Sequence, residues 1–239
     1  MASILEVNNL IARYGQFQAL FGVDFAMARG SIVALIGANG AGKSTFLKAL
    51  AGQMPIKSGE IRFDGRDIAG LPSDEIVAAG IAMVPEGRRL FRSLTVQENL
   101  KIGAFSGRTG RWTLDSVYAL FPTLREKRQN PATALSGGQQ QMVAIGRALM
   151  SNPDLLLCDE VSLGLAPAVV KDIYNIFSAL RAEGLSIVIV EQDIDTALRV
   201  ADDIFCFMHG RVTLHGSPAA LNKDEISAAY FGIEESAHG

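Results

Sequence analysis

The stretch Gly37-Ala38-Asn39-Gly40-Ala41-Gly42-Lys43-Ser44 constrains this chain more than any other, because it satisfies the pattern G-x-x-x-x-G-K-[ST]. An apolar run, Ile32-Val33-Ala34-Leu35-Ile36, precedes it, and helix-forming Thr45-Phe46-Leu47-Lys48-Ala49-Leu50 follows. Strand, loop and helix in that order are the context the pattern requires. Glycines let the backbone wrap around an anion that side chains would obstruct. Successive N–H groups and the positive end of the following helix then point at phosphate oxygens. Lys43 is placed to reach the terminal phosphates, and Ser44 to put its hydroxyl on Mg²⁺. A merely structural glycine turn is outweighed once strand, loop, Lys43 and Ser44 coincide. The pattern predicts binding of a nucleoside triphosphate.

Further along, Leu155-Leu156-Leu157-Cys158-Asp159-Glu160 is an apolar strand ending in two acids. Such a strand beside a phosphate loop delivers Asp159 to Mg²⁺, with Ser44 as partner. Glu160, one residue on, points differently and is placed to orient or deprotonate an attacking water. Leu135-Ser136-Gly137-Gly138-Gln139-Gln140-Gln141 opens another helix, and its hydroxyl, free amides and N-terminus make a second anion site. A plain helix cap explains Ser136 but not the paired glycines. Two anion sites in one chain have an economical explanation: two subunits pair head to tail, each covering the other's nucleotide.

The remaining pattern is α/β. Ile4–Leu10 and Val23–Met27 read as strands, and Ser58–Gly65 as a strand closed by an Asp-Gly turn. Pro72 begins a helix over Ser73–Ala79 stopped by Gly80, and Ile81–Val84 is a strand halted by Pro85. The spacing from Thr95 to about Asn130 is helical, with Val117, Leu120, Phe121 and Leu124 as its apolar stripe. Trp112 and Phe121 read as core. Helices are expected from Gly137 towards Asn152-Pro153, over Ala168–Ala182 and over Ile194–Val200. Strands are expected at Ile187–Val190, Ile204–Met208 and Val212–Leu214, the last two joined at His209-Gly210. Short apolar strands alternating with helices imply a buried, largely parallel sheet.

Composition excludes several classes. With 49% hydrophobic and 20% charged residues among 239, the chain has material for one large core, or a main domain with a smaller subdomain, and is not disordered. Its net charge of −3, with both signs interspersed, offers no basic stripe for nucleic acid. Cys158 and Cys206, each inside an apolar run, read as buried, reduced thiols of a cytoplasmic protein. Met1-Ala2-Ser3 lacks the start of a secretion signal, and the apolar runs fall short of a membrane span. At a membrane, other chains would have to hold this one.

A phosphate loop, then L-S-G-G-Q, then an apolar strand ending D-E resembles the motif set of the ATP-binding cassette ATPases, over essentially the whole chain. The resemblance implies an α/β fold: a P-loop NTPase core with a mostly parallel sheet, an N-terminal antiparallel β portion and an inserted helical subdomain. The expected organisation is a single domain, 1–239, with a core lobe of 1–85 and 136–239 and a helical lobe at 86–135. It implies two cassettes sandwiching two Mg-ATP, coupled to integral membrane permease subunits at the cytoplasmic face of the inner membrane. ATP would rest on 37–45 of one subunit, including Thr45, and be covered by 135–141 of a second ATPase, identical or different. Tyr14 stands where this family has its adenine-stacking aromatic; the plain alternative is a surface tyrosine in a Tyr-Gly turn.

Three positions depart from the family pattern. Glu86 stands where a Gln commonly contacts Mg²⁺ and senses the transmembrane partner, and Gln192 where a His commonly meets the γ-phosphate. Ala166 replaces the Asp of the usual Asp-Pro. Because Lys43, Asp159 and Glu160 are intact, hydrolysis is expected to survive, but Gln192 cannot carry a proton. V-P-E-G-R-R-L-F, S-L-G-L-A-P and V-E-Q together resemble ATPase subunits of branched-chain amino-acid importers, which also employ a periplasmic binding protein. Urea and short-amide importers use similar ATPases. Val161, where that subfamily has Pro, is expected to alter only how the loop leaves the strand. Glu86–Phe91, mixing charge with aromatic surface, is expected to face the membrane subunits.

Rival classes fit less well. DNA-acting ATPases with these motifs separate them by long coiled coils, whereas the span from Lys43 to Ser136 is short and lacks sustained heptads. Tandem-cassette translation factors need a longer chain. Asn222-Lys223-Asp224-Glu225 approximates the guanine-reading N-K-x-D but ends in Glu, and reads as a helix-flanking turn.

Overall fold

The computed structural model describes residues 3–231; Met1 and Ala2, read for a secretion signal, and the 232–239 tail lie outside them. The chain divides into two compact units, one of Met1–Pro72 with Val188–Gly239 and one of Ser73–Ile187. The first begins with β1 (Ser3–Tyr14), β2 (Phe17–Ala28), β3 (Ile32–Ile36), α1 (Lys43–Leu50), β4 (Ile56–Phe63) and β5 (Arg66–Asp67). The second holds α2 (Ser73–Ala79), β6 (Ile81–Val84), α3 (Val96–Ile102), α4 (Leu114–Leu120), α5 (Pro122–Glu126), α6 (Gly137–Leu149), β7 (Leu155–Asp159) and α7 (Pro167–Ala182). Strand β8 (Ser186–Val190) carries the chain back to the first unit, which ends with α8 (Ile194–Val200), β9 (Asp203–Met208), β10 (Arg211–Gly216) and α9 (Lys223–Phe231).

In the first unit, β2-β1-β4-β5 form an antiparallel sheet. The Asp64-Gly65 turn joining β4 to β5 has both residues at positive φ, 50° and 75°, as a type I′ hairpin requires. The other strands lie in the order β10-β9-β3-β8, with β3 and β9 parallel and β9 and β10 antiparallel. Every residue of β3 and of β8 is buried, which is why both read as unbroken apolar runs. Phe25 of β2, Phe46 of α1, and Phe205 and Phe207 of β9 pack ring against ring, at centroid distances of 4.5 to 5.5 Å. This cluster fixes α1 against both layers of strands, and so fixes the loop that leads into it. Asn222 caps α9: its Oδ1 accepts from Glu225 N at 2.7 Å and its own N–H reaches Glu225 Oε2 at 3.0 Å. The N-K-x-D-like tetrad is thus a helix cap, as its sequence position implied.

In the second unit β6 and β7 pair in parallel. Pro72, Ser73–Ala79 and Gly80 behave as expected, the glycine ending α2 at φ 116°. Between Thr95 and Asn130 the helical spacing resolves into three α-helices, because α3 tightens into a 3₁₀ turn over Gly103–Ser106 that Gly107 ends at φ 71°, and Pro122 starts α5 afresh. Thr95 and Thr113 close capping boxes that begin α3 and α4. Val117, Phe121 and Leu124 are buried and Leu120 half-buried, and Trp112 joins the core with them. Helix α6 approaches α3 and α4 so closely that a Cβ at Gly146 would lie 2.8 Å from Leu100 Cδ2 and 2.9 Å from Val117 Cγ1. Cys158 and Cys206 are buried free thiols, and burial pushes Cys206 above the ordinary thiol range. Among the described residues no helix is long and apolar enough to cross a membrane.

Candidate nucleotide site

The loop Gly37–Ser44 leaves the buried end of β3 and turns into α1. Gly37, at φ 143°, has no room for a side chain: a Cβ there would sit 2.2 Å from the Phe207 carbonyl oxygen. Gly42, at φ 107°, occupies the cap position of α1, and no side chain caps that helix. In this α1 differs from α3, α4 and α6, each of which begins with a side-chain capping box. Lys43 is buried, its Nζ donating to the carbonyls of Gly37 at 2.6 Å and Ala38 at 3.0 Å. A cation held at the centre of a loop of amides, away from bulk water, attracts an anion more strongly than an exposed lysine would. Ala38, Asn39 and Gly40 form the exposed crest of the loop, and Ser44 and Thr45 are half-buried in the first turn of α1.

Two further predicted residues share this unit. Tyr14 Oη lies 3.4 Å from Thr45 Oγ1, which brings the half-exposed ring beside the end of α1 that carries the loop. Glu191 N donates to Leu35 O at 3.0 Å, so the chain leaving β8 stays level with the end of β3. Half-buried Gln192, next in sequence, thereby emerges beside the start of the phosphate loop.

The second unit carries the acids. Asp159 ends β7 and is buried, while Glu160 adopts a left-handed φ of 49° and is half-buried. That backbone reversal ends the strand at Asp159 and sends the chain into the loop that precedes α7. A left-handed, non-glycine residue directly after a buried strand is a sparsely populated conformation of the kind that clusters at functional sites. Val161 is buried, and Ala166 stands at the cap of α7 without a side-chain hydrogen bond, leaving Pro167 to start the helix. Among the described residues no group of three or more His, Cys, Asp or Glu could hold a metal. A serine hydroxyl and one or two carboxylates are nonetheless the hard oxygen set that suits Mg²⁺ shared with phosphates.

Ser136 caps α6: its Oγ accepts from Gln139 N at 3.3 Å, and Gln139 Oε1 accepts from Ser136 N at 3.2 Å. Gly138 has a packing reason, since a Cβ there would lie 2.7 Å from Val169 Cγ1 of α7. Gly137 does not: its nearest neighbour is the Arg88 guanidinium, 3.3 Å from where a Cβ would be. A positive charge against a helix N-terminus is unfavourable by itself and becomes favourable with an anion between them. Glu86 is exposed, and beyond it Arg88 and Arg89 both take left-handed φ, 65° and 43°.

Residues 20–162 match the family described as ABC transporter. BraG of Pseudomonas aeruginosa PAO1, a high-affinity branched-chain amino acid transport ATP-binding protein, is 46% identical over 96% of this chain and 100% of its own. The chain belongs to the ABC transporter family. It is an ATP-binding cassette whose hydrolysis of ATP is coupled to transport. The ADP conformation of MJ1267, an ATP-binding cassette of an ABC transporter, superposes with a TM-score of 0.80 at 29% identity, over 95% of this chain and 94% of that one. A dimeric post-hydrolysis state of the cassette MJ0796, bound to ADP and Pi, gives a TM-score of 0.80 at 25% identity over 90% and 98%.

Sequence reasoning passed over two features of this cassette. Arg147 of α6 is half-buried, and the desolvation lowers its pKa; it donates to the carbonyls of Arg89 at 2.9 Å and Arg88 at 3.1 Å. Asn99 is fully buried and holds the turn after Phe91, accepting from Phe91 N and donating to the carbonyls of Phe91, Leu94 and Thr95. A polar side chain interrupting the apolar spacing of its helix, Asn99 beside Val96 and Leu100 and Arg147 beside Ile145 and Ala148, was the signal for both.

Proposed function

We propose that the cassette powers the uptake of branched-chain amino acids through nucleotide-driven closure of an ATPase dimer. The full-length likeness to BraG supports the cargo, and the phosphate loop with L-S-G-G-Q supports the mechanism. In this reading residues 1–85 and 136–239 act as the core lobe and 86–135 as a helical lobe. Gly37 to Thr45 bind the triphosphate, with Lys43 drawing the terminal phosphates, and Tyr14 stacks on adenine. Ser44, Asp159 and Glu86 would hold Mg²⁺, and the ion would supply positive charge beside the phosphates. Glu160 takes a proton from the attacking water, and Gln192 hydrogen-bonds the γ-phosphate without carrying a proton. Ser136, Gly137, Gly138 and Gln139 of a second ATPase, identical or different, cover the nucleotide from the other side. The Arg88 guanidinium beside Gly137 fits that arrangement, because the arriving phosphate offsets its charge. The cassette is peripheral at the cytoplasmic face of the inner membrane, held there by permease subunits that receive cargo from a periplasmic binding protein. It has no nucleic-acid partner.

The test compares radiolabelled leucine and urea uptake in cells with and without the gene, and in cells carrying Glu160→Gln. Loss of leucine uptake with urea uptake intact is the expected result. The reverse outcome moves the cargo to urea or short amides. Intact uptake of both, with the tagged chain recovered on DNA, removes transport altogether.

A further inference from the structure

Tyr14 and Phe17 face each other as the closing pair of the β1–β2 hairpin, across the two-residue turn Gly15-Gln16. Glycine at the first central position, here with φ 58°, is what a type II′ hairpin turn demands. Directly paired residues of an antiparallel ladder project from the same face, with Cβ atoms about 4.5–5.5 Å apart. The next pair, Arg13 and Gln18, takes the opposite face, where Arg13 Nη2 donates to Gln18 Oε1 at 2.9 Å. The hairpin tip is therefore polar behind and aromatic in front. The front is oriented by Tyr14, whose hydroxyl meets Thr45 in the first turn of α1.

On that front Tyr14 is 48% exposed and Phe17 71% exposed. The other rings of this unit's aromatic cluster, Phe25, Phe46, Phe205 and Phe207, are buried. Two exposed rings on one face of the hairpin, one of them held to the first turn of α1, have no packing role in the core.

We propose that Phe17 is a nucleobase contact, forming with Tyr14 a two-ring platform that selects purines over pyrimidines. This rests on the reading that Gly37–Ser44 holds the triphosphate. Every base has a π-face, so stacking accepts all of them, but its strength grows with the ring area laid on the platform, and two adjoining rings therefore favour the larger purines. ATP and GTP are then bound alike, and CTP more weakly.

Calorimetric titration of the full chain with ATP, GTP, CTP and inorganic tripolyphosphate tests this. Phe17→Ala is expected to weaken ATP and GTP roughly tenfold, within the range for loss of one stacking ring, and to bring ATP and CTP together. Tripolyphosphate affinity is expected to stay within about twofold, and Phe17→Trp to retain the purine preference. Unchanged ATP affinity in Phe17→Ala overturns the proposal and leaves the ring to a protein surface. An equal loss of ATP and tripolyphosphate also overturns it, since the effect then runs through the loop. Lys43→Ala separates the two levels: if it leaves tripolyphosphate binding intact, the phosphate-loop reading fails, whatever Phe17 does.

Discussion

Gly37→Ala should damage this cassette far more than Gly40→Ala, although the two glycines lie in one loop and both have positive φ. At Gly40, φ is 81° and a Cβ would meet nothing within 4 Å, so only the backbone preference is lost. That cost is about 1–2 kcal/mol. At Gly37, φ is 143°, a region entered almost solely by glycine, at about 1–3 kcal/mol. The added methyl would also press on Phe207 O at 2.2 Å and Phe207 C at 3.1 Å. Those are backbone atoms of β9, tied to β3 and β10, and cannot swing aside as a side-chain tip would. Overpacking of that kind adds about 1–3 kcal/mol, giving a total of about 4 kcal/mol. For a chain of this length each kcal/mol moves Tm by about 2–4 °C, so Gly37→Ala should melt roughly 8–16 °C lower and Gly40→Ala roughly 2–8 °C lower. Melting must be followed without nucleotide, because a bound ligand raises Tm by mass action. If the loop yields instead, its amides leave their positions, and ATP affinity should fall by more than about tenfold. A Gly37→Ala protein that melts within about 2 °C of Gly40→Ala and binds ATP like the parent would refute the reasoning.

Glu160→Gln removes the proposed base while keeping a side chain of the same shape; ATP binding should persist and steady-state turnover fall by about 10²–10⁴-fold in a phosphate-release assay. Asn99→Ala strands the groups that Asn99 satisfies around Phe91, Leu94 and Thr95, and should cost about 2–4 kcal/mol in urea unfolding, with faster amide exchange at Phe91. Cys158 and Cys206 should react with iodoacetamide only as the chain unfolds. For Cys206 the sign follows from its raised pKa: the thiol stays protonated through neutral pH, and raising pH towards the unfolded value favours the unfolded thiolate, so alkylation should accelerate above about pH 9.

How much of this was legible in the chain depends on the range over which each element is decided. The turns at Asp64-Gly65 and His209-Gly210 are local, because positive φ must be supplied by the residues themselves, and both were readable. The buried strands β3, β7 and β8 were readable as short apolar runs bounded by loop residues. The span from Thr95 to Asn130 was readable as helical but not divisible, since periodicity records the apolar faces of α3, α4 and α5 and not the breaks between them. In the site, identity was local and geometry was not. Lys43 and Ser44 declare themselves by pattern, but only the fold shows Tyr14 brought to Thr45, Gln192 brought level with the loop, and Gly137 set beside Arg88.

Helix α6 carries this argument furthest. Its first residues were singled out for chemistry, yet Ser136 is a cap, Gly138 makes room for Val169, and Gly146 makes room for Leu100 and Val117. Its one long basic side chain in the last turn, Arg147, spends two donors on the carbonyls of Arg88 and Arg89, which sit in left-handed backbone at about 1–3 kcal/mol each. A guanidinium half-buried there loses hydration, and its pKa falls in consequence. Both costs persist only because they meet: the strained turn turns its carbonyls inward, and the desolvated cation needs them. The signature helix and the Glu86–Phe91 segment are thereby tied together, because shifting the last turn of α6 breaks both hydrogen bonds from Arg147.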